Sequence, residues 1–176
     1  MKTLSSDKRV VLLVSDSVLL CSALILSYVE AVISLDIIPL PAFRIGLANI
    51  PIIVAVFALS PVHAALISFA RLVLSFLLFG NPVSLLLSAC GSVCVILIVS
   101  LFYRHSSHIS FIGISVLSAL AHNAGQFIAS LFLVGGAVIS YIPFLLTASL
   151  IFGSLNGIIL NLLPSKIFNI YCERSL

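Results

Sequence analysis

Ile109-Ser-Phe-Ile-Gly-Ile-Ser-Val-Leu-Ser-Ala-Leu-Ala-His122-Asn123-Ala-Gly-Gln126-Phe-Ile-Ala-Ser-Leu-Phe-Leu-Val134 is an apolar run with a polar knot at its centre. A helix needs about 20 predominantly apolar residues to cross the hydrocarbon of a bilayer, and this run is long enough. His122, Asn123 and Gln126 fall within five residues of one another, at a depth where lipid supplies no hydrogen-bond partner. Side chains of this kind are costly in hydrocarbon and turn toward a bundle interior or a cavity. The run therefore reads as one helix of a bundle, with other apolar segments packed around the knot.

Composition supports that reading. The chain has 176 residues, 62% of them hydrophobic and 7% charged, and a mean hydropathy of +1.36. A soluble domain carries about 25% charged residues. This chain is therefore an integral membrane protein of the cell membrane, crossing it several times. The net charge of +3 is small and no basic patch is interleaved with aromatics, which excludes nucleic acid as a partner. Cys21, Cys90, Cys94 and Cys172 have no zinc-site spacing, and no metal or cofactor is implied. Cys90 and Cys94, one helical turn apart, read as small packing residues. Lys2, Lys8 and Arg9 precede an apolar run from Val10 to Ser34. That run is longer than a signal-peptide core of about 7–15 residues, so it reads as a retained first helix.

Six crossings are expected in one all-α domain over 1–176, at 10–34, 44–60, 62–79, 83–102, 109–134 and 139–163. Pro39 and Pro41, Ser60-Pro61, Gly80-Asn81-Pro82, the polar stretch Tyr103–His108, and Gly135-Gly136 punctuate them. With the N-terminus inside, the inner loops and ends hold Lys2, Lys8, Arg9, Arg104, Lys166 and Arg174, against Arg44 alone outside. The positive-inside rule then places both termini in the cytoplasm and the loop Leu35–Phe43 outside.

The second segment leaves two alternatives open. Pro51 prefers the first turn of a helix. A helix starting at Ile50 would be too short to span. Either the helix begins near Arg44 and kinks at Pro51, or it is broken there with Gly46–Asn49 as irregular backbone. Irregular backbone at membrane depth requires protein or a water-filled cavity to satisfy it, as in the broken helices of transporters.

Helical spacing sorts the polar residues onto faces. Asp16, Ala23 and Glu30 share one face of the first segment, and Ala23, Ser27 and Ala31 form a small-residue stripe suited to close helix contact. That contact is expected inside the bundle or on another protein, with the internal partner favoured. Arg71 lies midway along the third segment in a stripe with Ala64, Ser68 and Ser75. It needs a carboxylate, carbonyls or an anionic ligand, and pairing with Glu30 is one expectation. His63 reads as interfacial. Ser115, Ser118, His122, Gln126 and Ala129 follow one rhythm on the fifth segment, with Asn123 beside them. Ser84/Ser88/Ser92 with Gly91, and Gly153/Gly157 with Asn156 and Asn161, read as close-packing surfaces. No catalytic residues emerge: Asp16, Glu30 and Asp36 are dispersed, and no aspartate-rich or nucleotide-binding motif is present.

Three stretches resemble a known family. Arg44-Ile-Gly-Leu-Ala-Asn49 is similar to its "GLAN" stretch, Arg71-Leu-Val-Leu-Ser-Phe-Leu-Leu-Phe-Gly80 to its third helix, and Ala121-His-Asn-Ala-Gly-Gln126 to its "AHNxGQ" stretch. The family is the Gx transporters, also catalogued as heptaprenyl diphosphate synthase component I and related to the substrate-binding S components of energy-coupling-factor transporters. The resemblance implies a six-helix bundle that binds a small molecule toward the outer side. Glu30, Asn49, Arg71, His122, Asn123 and Gln126 would be the binding residues. It also implies docking of the first helix, through Ala23, Ser27 and Ala31, onto a transmembrane coupling subunit with ATPases. The synthase name implies instead a prenyltransferase partner. A chain-elongating site needs clustered aspartates for magnesium, so on that reading this chain is a non-catalytic membrane subunit.

Overall fold

The computed structural model describes residues 6–37, 46–79, 81–103, 110–164 and 167. Apolar runs bounded by Pro, Gly and Asn become six helices: α1 (Ser6–Ile37), α2 (Asn49–Ala58), α3 (Pro61–Phe79), α4 (Pro82–Tyr103), α5 (Phe111–Val134) and α6 (Ile142–Leu162). Five of them are long and apolar enough to cross a membrane; the exception is α2. Their outer surfaces carry large apolar side chains, Phe132 at 87% exposure and Leu162 at 78% among them. That surface suits lipid, and the chain is a multi-pass membrane protein.

Local chemistry sets the helix starts. Asn81 accepts the Ser84 N–H at 3.1 Å ahead of Pro82, and Ser110 accepts the Gly113 N–H at 3.2 Å. Both are side-chain caps for otherwise orphaned donors, and Pro82 occupies a position where the missing N–H is harmless. Residues 136–141, the first of them Gly136, form a 3-10 helix, so α6 begins at Ile142 rather than near Ile139. Pro143 sits in its first turn. α1 extends beyond the expected 10–34 at both ends.

The second segment follows the broken alternative. Of the span 44–60, α2 takes ten residues, Asn49 to Ala58. That is about 15 Å, half the hydrocarbon thickness. Gly46 takes φ +80, outside any helix, so the irregular backbone is real from Gly46 onward. Pro51 is the third helical residue, where no intrahelical partner awaits its N–H. Arg44 and the rest of 38–45 lie outside the described residues. So do Lys2, Gly80, Arg104, His108, Lys166, Cys172 and Arg174.

Hydrogen bonds fix the direction of packing. His63 Nδ1 donates to Asp16 at 2.8 Å, and Arg71 donates to Ser27 Oγ at 3.4 Å. Both residues of each pair rise together along their helices, so α1 and α3 run parallel. The chain between them must therefore double back, and α2 lies on that return path. Nearly every α2 residue is buried, as expected for a helix apolar all round. Ile52, Ile53, Val56 and Leu59 pack with Ile67 of α3, Val95 and Val99 of α4, Ile114 of α5 and Leu160 of α6. Phe57 closes one end, its ring 5.8 Å from both Tyr103 and Phe111. The short helix is thus the centre of the apolar core.

Candidate functional site

Gly46 gathers three elements onto one residue. Its N–H donates to Glu30 Oε1 of α1 at 2.5 Å. Its carbonyl accepts the Asn49 N–H at 3.0 Å and Asn156 Nδ2 of α6 at 3.3 Å. Glu30, Asn49 and Asn156 are all buried. The positive φ admits this turn, and a Cβ there would also stand 3.1 Å from Asn49 Nδ2. A non-glycine residue with positive φ costs roughly 1–2 kcal/mol. Gly46→Ala is therefore expected to lower unfolding stability in detergent by about that amount. An unchanged thermal midpoint would refute the role given to this turn.

Arg71 ties α3 to two other helices. It is 3% exposed, and it donates to Ser92 Oγ of α4 at 2.7 Å besides Ser27 of α1. Ser27 and Glu30 are three residues apart and share a face of α1, so the Arg71 cluster and the Gly46 turn lie about one helical turn apart. Among the described residues an ion pair joins His63 to Asp16, and the hydrogen bonds shown for Glu30 and Arg71 go to the Gly46 N–H and to the Ser27 and Ser92 hydroxyls. His63 is accordingly a structural partner of Asp16, across the α1–α3 interface. Ala23 and Ser27 are buried by the chain's own helices, and Ala31 is partly buried.

The polar face of α5 abuts this cluster through α4. A Cβ on Gly91, next to Ser92, would fall 2.7 Å from both Nδ1 and Cε1 of His122. Gly91 therefore exists as the seat of that imidazole. Asn123 Nδ2 donates to Ser149 Oγ of α6 at 2.7 Å, and Ser149 in turn donates to the Leu145 carbonyl at 2.7 Å. Gln126 lies one turn further along α5 at 1% exposure. Leu47, two residues before Asn49, packs on the Leu145/Ala148 patch of α6, as does Phe127, next to Gln126. The residues flanking Asn49 and Gln126 thus border the same stretch of α6.

Each of the six residues read from the sequence as binding candidates is buried. Their hydrogen-bonding capacity is unevenly used. Both polar atoms of Asn49, both of Gln126, Asn123 Oδ1 and the hydroxyls of Ser68 and Ser118 are buried with no partner in the protein. Gly46, Ser92, Ser149 and Asn156 were not read as site residues. Ser92 and Asn156 read as packing, and that spacing is real, but each also hydrogen bonds across a helix interface. Ser149 continues the Gly153/Gly157 stripe at four-residue spacing, a signal that was available. Among the described residues no three His, Cys, Asp or Glu side chains are grouped to hold a metal ion.

Comparison with known proteins adds one finding. No curated protein and no solved structure shows a significant match to the chain. A family model described as heptaprenyl diphosphate synthase component I matches residues 19–163. That stretch holds every helix from the middle of α1 to the end of α6, and with it Glu30, Gly46, Asn49, Arg71 and the whole polar face of α5. The chain belongs to the heptaprenyl diphosphate synthase component I family.

Proposed function

We propose that the chain is a membrane-embedded small-molecule-binding subunit, built like the substrate-binding component of an energy-coupling-factor transporter. The observation that carries the proposal is the pair of carboxamides on Asn49 and Gln126, buried with all four polar atoms unpartnered. Leaving a buried polar group unsatisfied costs about 1–3 kcal/mol. A chain that keeps several in one layer has a use for them, and a ligand that pairs with them recovers the cost. Buried polar residues inside a bundle mark substrate paths by default.

The parallel course of α1 and α3 supports six passes, with the second made of irregular backbone and the half-length α2. With both termini cytoplasmic, the break at Gly46–Asn49 falls near mid-membrane, where broken helices place transporter sites. Energy for transport would come from a separate coupling subunit with ATPases.

A thermal-shift screen of the purified protein against vitamins, flavins and isoprenoid diphosphates tests this. A rise in unfolding midpoint with at least one compound, lost in Gln126→Leu, is expected. Silence across the screen, together with unchanged uptake in a deletion strain, would overturn it. The family match favours a second reading, a non-catalytic membrane subunit of a heptaprenyl diphosphate synthase. Co-purification separates the two: a prenyltransferase supports the second, and an ATPase with its coupling subunit supports the first.

A further inference from the structure

We infer that the buried layer takes an uncharged ligand with adjacent hydrogen-bond donor and acceptor groups (a lactam, ureide or primary carboxamide) and discriminates against diphosphates. The inference rests on the small-molecule-binding reading above and specifies its ligand.

The charges of the layer are balanced and engaged. Glu30 and Arg71 have opposite signs and are 2% and 3% exposed; the first holds the Gly46 N–H and the second the Ser27 and Ser92 hydroxyls. What remains unspent is neutral: the carboxamides of Asn49 and Gln126 and the Oδ1 of Asn123. A carboxamide presents a donor beside an acceptor in one plane. Its natural complement is another amide edge, which forms two parallel hydrogen bonds with it. Exchanging the assigned O and N of either side chain leaves one of each, so the pattern is independent of that assignment.

A diphosphate fits poorly on three counts. Ionised, it only accepts hydrogen bonds, so it would leave the oxygens of Asn49, Gln126 and Asn123 unpaired, at about 1–3 kcal/mol for each buried group. The N-terminus of α2, the usual kind of backbone anion site, is closed. The Asn49 N–H goes to the Gly46 carbonyl at 3.0 Å, the Ile50 N–H to the Leu47 carbonyl at 3.1 Å, and Pro51 has none. Finally, the Glu30 carboxylate lies against the turn that leads into α2, where it repels a second anion.

The test uses the full chain in nanodiscs. Binding of uracil, nicotinamide, benzoate and inorganic pyrophosphate is measured by calorimetry, alongside the unfolding midpoint. Uracil or nicotinamide is expected to bind at least about tenfold more tightly than benzoate or pyrophosphate, a difference of about 1.4 kcal/mol. Asn49→Leu and Gln126→Leu should each abolish that binding while the ligand-free midpoint stays the same or rises, because each removes unpaired polar atoms. If either variant folds poorly, Gln126→Met repeats the test with a flexible apolar side chain. Tighter binding of pyrophosphate or benzoate overturns the ligand class alone and leaves the binding reading standing. No binding of any probe overturns both, and marks the carboxamides as packing defects.

Discussion

Arg71→Ala is expected to lower unfolding stability by about 3 kcal/mol, one of the two largest single effects in the molecule. The guanidinium is buried and donates to Ser27 of α1 and Ser92 of α4. Hydrogen bonds to charged groups contribute about 1.5–3 kcal/mol each, and the shorter contact, 2.7 Å to Ser92, is the stronger of these two. Returning the charge to water on unfolding offsets part of the sum. Arg71→Lys should recover only a fraction, because an ammonium lacks the planar fork that reaches two helices at once. In the Arg71→Ala background, Ser92→Ala should cost little more, since the two groups act as one contact. Glu30→Gln keeps an acceptor for the Gly46 N–H, so combining it with Arg71→Ala should be close to additive rather than compensating. Reversible unfolding in detergent, read by helix content, gives all four values. Full stability in Arg71→Ala would remove Arg71 from the list of tertiary ties, and rescue by Glu30→Gln would show that the two groups act as an ion pair.

The contrast between Arg71 and α2 indicates what was legible in the chain. Burial followed from chemistry: an arginine, a glutamate and three adjacent polar residues cannot face lipid, so Glu30, Arg71, His122, Asn123 and Gln126 had to point inward. Partnership did not follow. Opposite charge suggests Arg71 with Glu30, but the hydrogen bond shown for Glu30 comes from the Gly46 N–H, and those shown for Arg71 go to Ser27 and Ser92. The Gly46 N–H lies sixteen residues from Glu30 in sequence, too far for local spacing to reveal. The helix start at Pro82 was visible in Gly80-Asn81-Pro82, whereas the Ser110 cap was not, since the fifth segment reads as starting at Ile109. The length of α2 was legible only as one of two alternatives, because Pro51 suits both a kinked span from Arg44 and a break over Gly46–Asn49, and the positive φ at Gly46 selects the break. The Asn123–Ser149 and Asn156–Gly46 contacts join distant segments and required the packing of α6.

Gly125→Leu is the other large effect, and it separates position from chemistry. A mere Cβ on Gly125 would stand 2.6 Å from the Cys90 carbonyl oxygen and 2.9 Å from Cys94 Sγ. The oxygen belongs to the α4 backbone and cannot swing aside, so α5 must move. On its opposite side α5 is held as tightly. Cβ atoms on Gly153 and Gly157 of α6 would approach the Cα atoms of Val116 and Ile112 to 2.8 and 2.6 Å. With small residues on both flanks, α5 has no slack in either direction; such contacts are what lets membrane helices approach closely. Overpacking by a few atoms costs about 1–3 kcal/mol, and an isobutyl group against backbone belongs at or above the top of that range. Gly135→Ala is the internal control. Gly135 also has φ +80 but nothing lies within 4 Å of its added Cβ, so only the local backbone strain should register. The functional consequence is separable from stability. His122, Asn123 and Gln126 all ride on α5, whereas Asn49 and Arg71 do not. A displacement of about 1 Å in α5 is enough to spoil an oriented set of groups. Gly125→Ala, the milder change, should therefore weaken ligand binding more than its loss of stability predicts. Binding and unfolding measured on the same preparation decide the point: a variant that binds normally at reduced stability would place the ligand contacts elsewhere than on the α5 face.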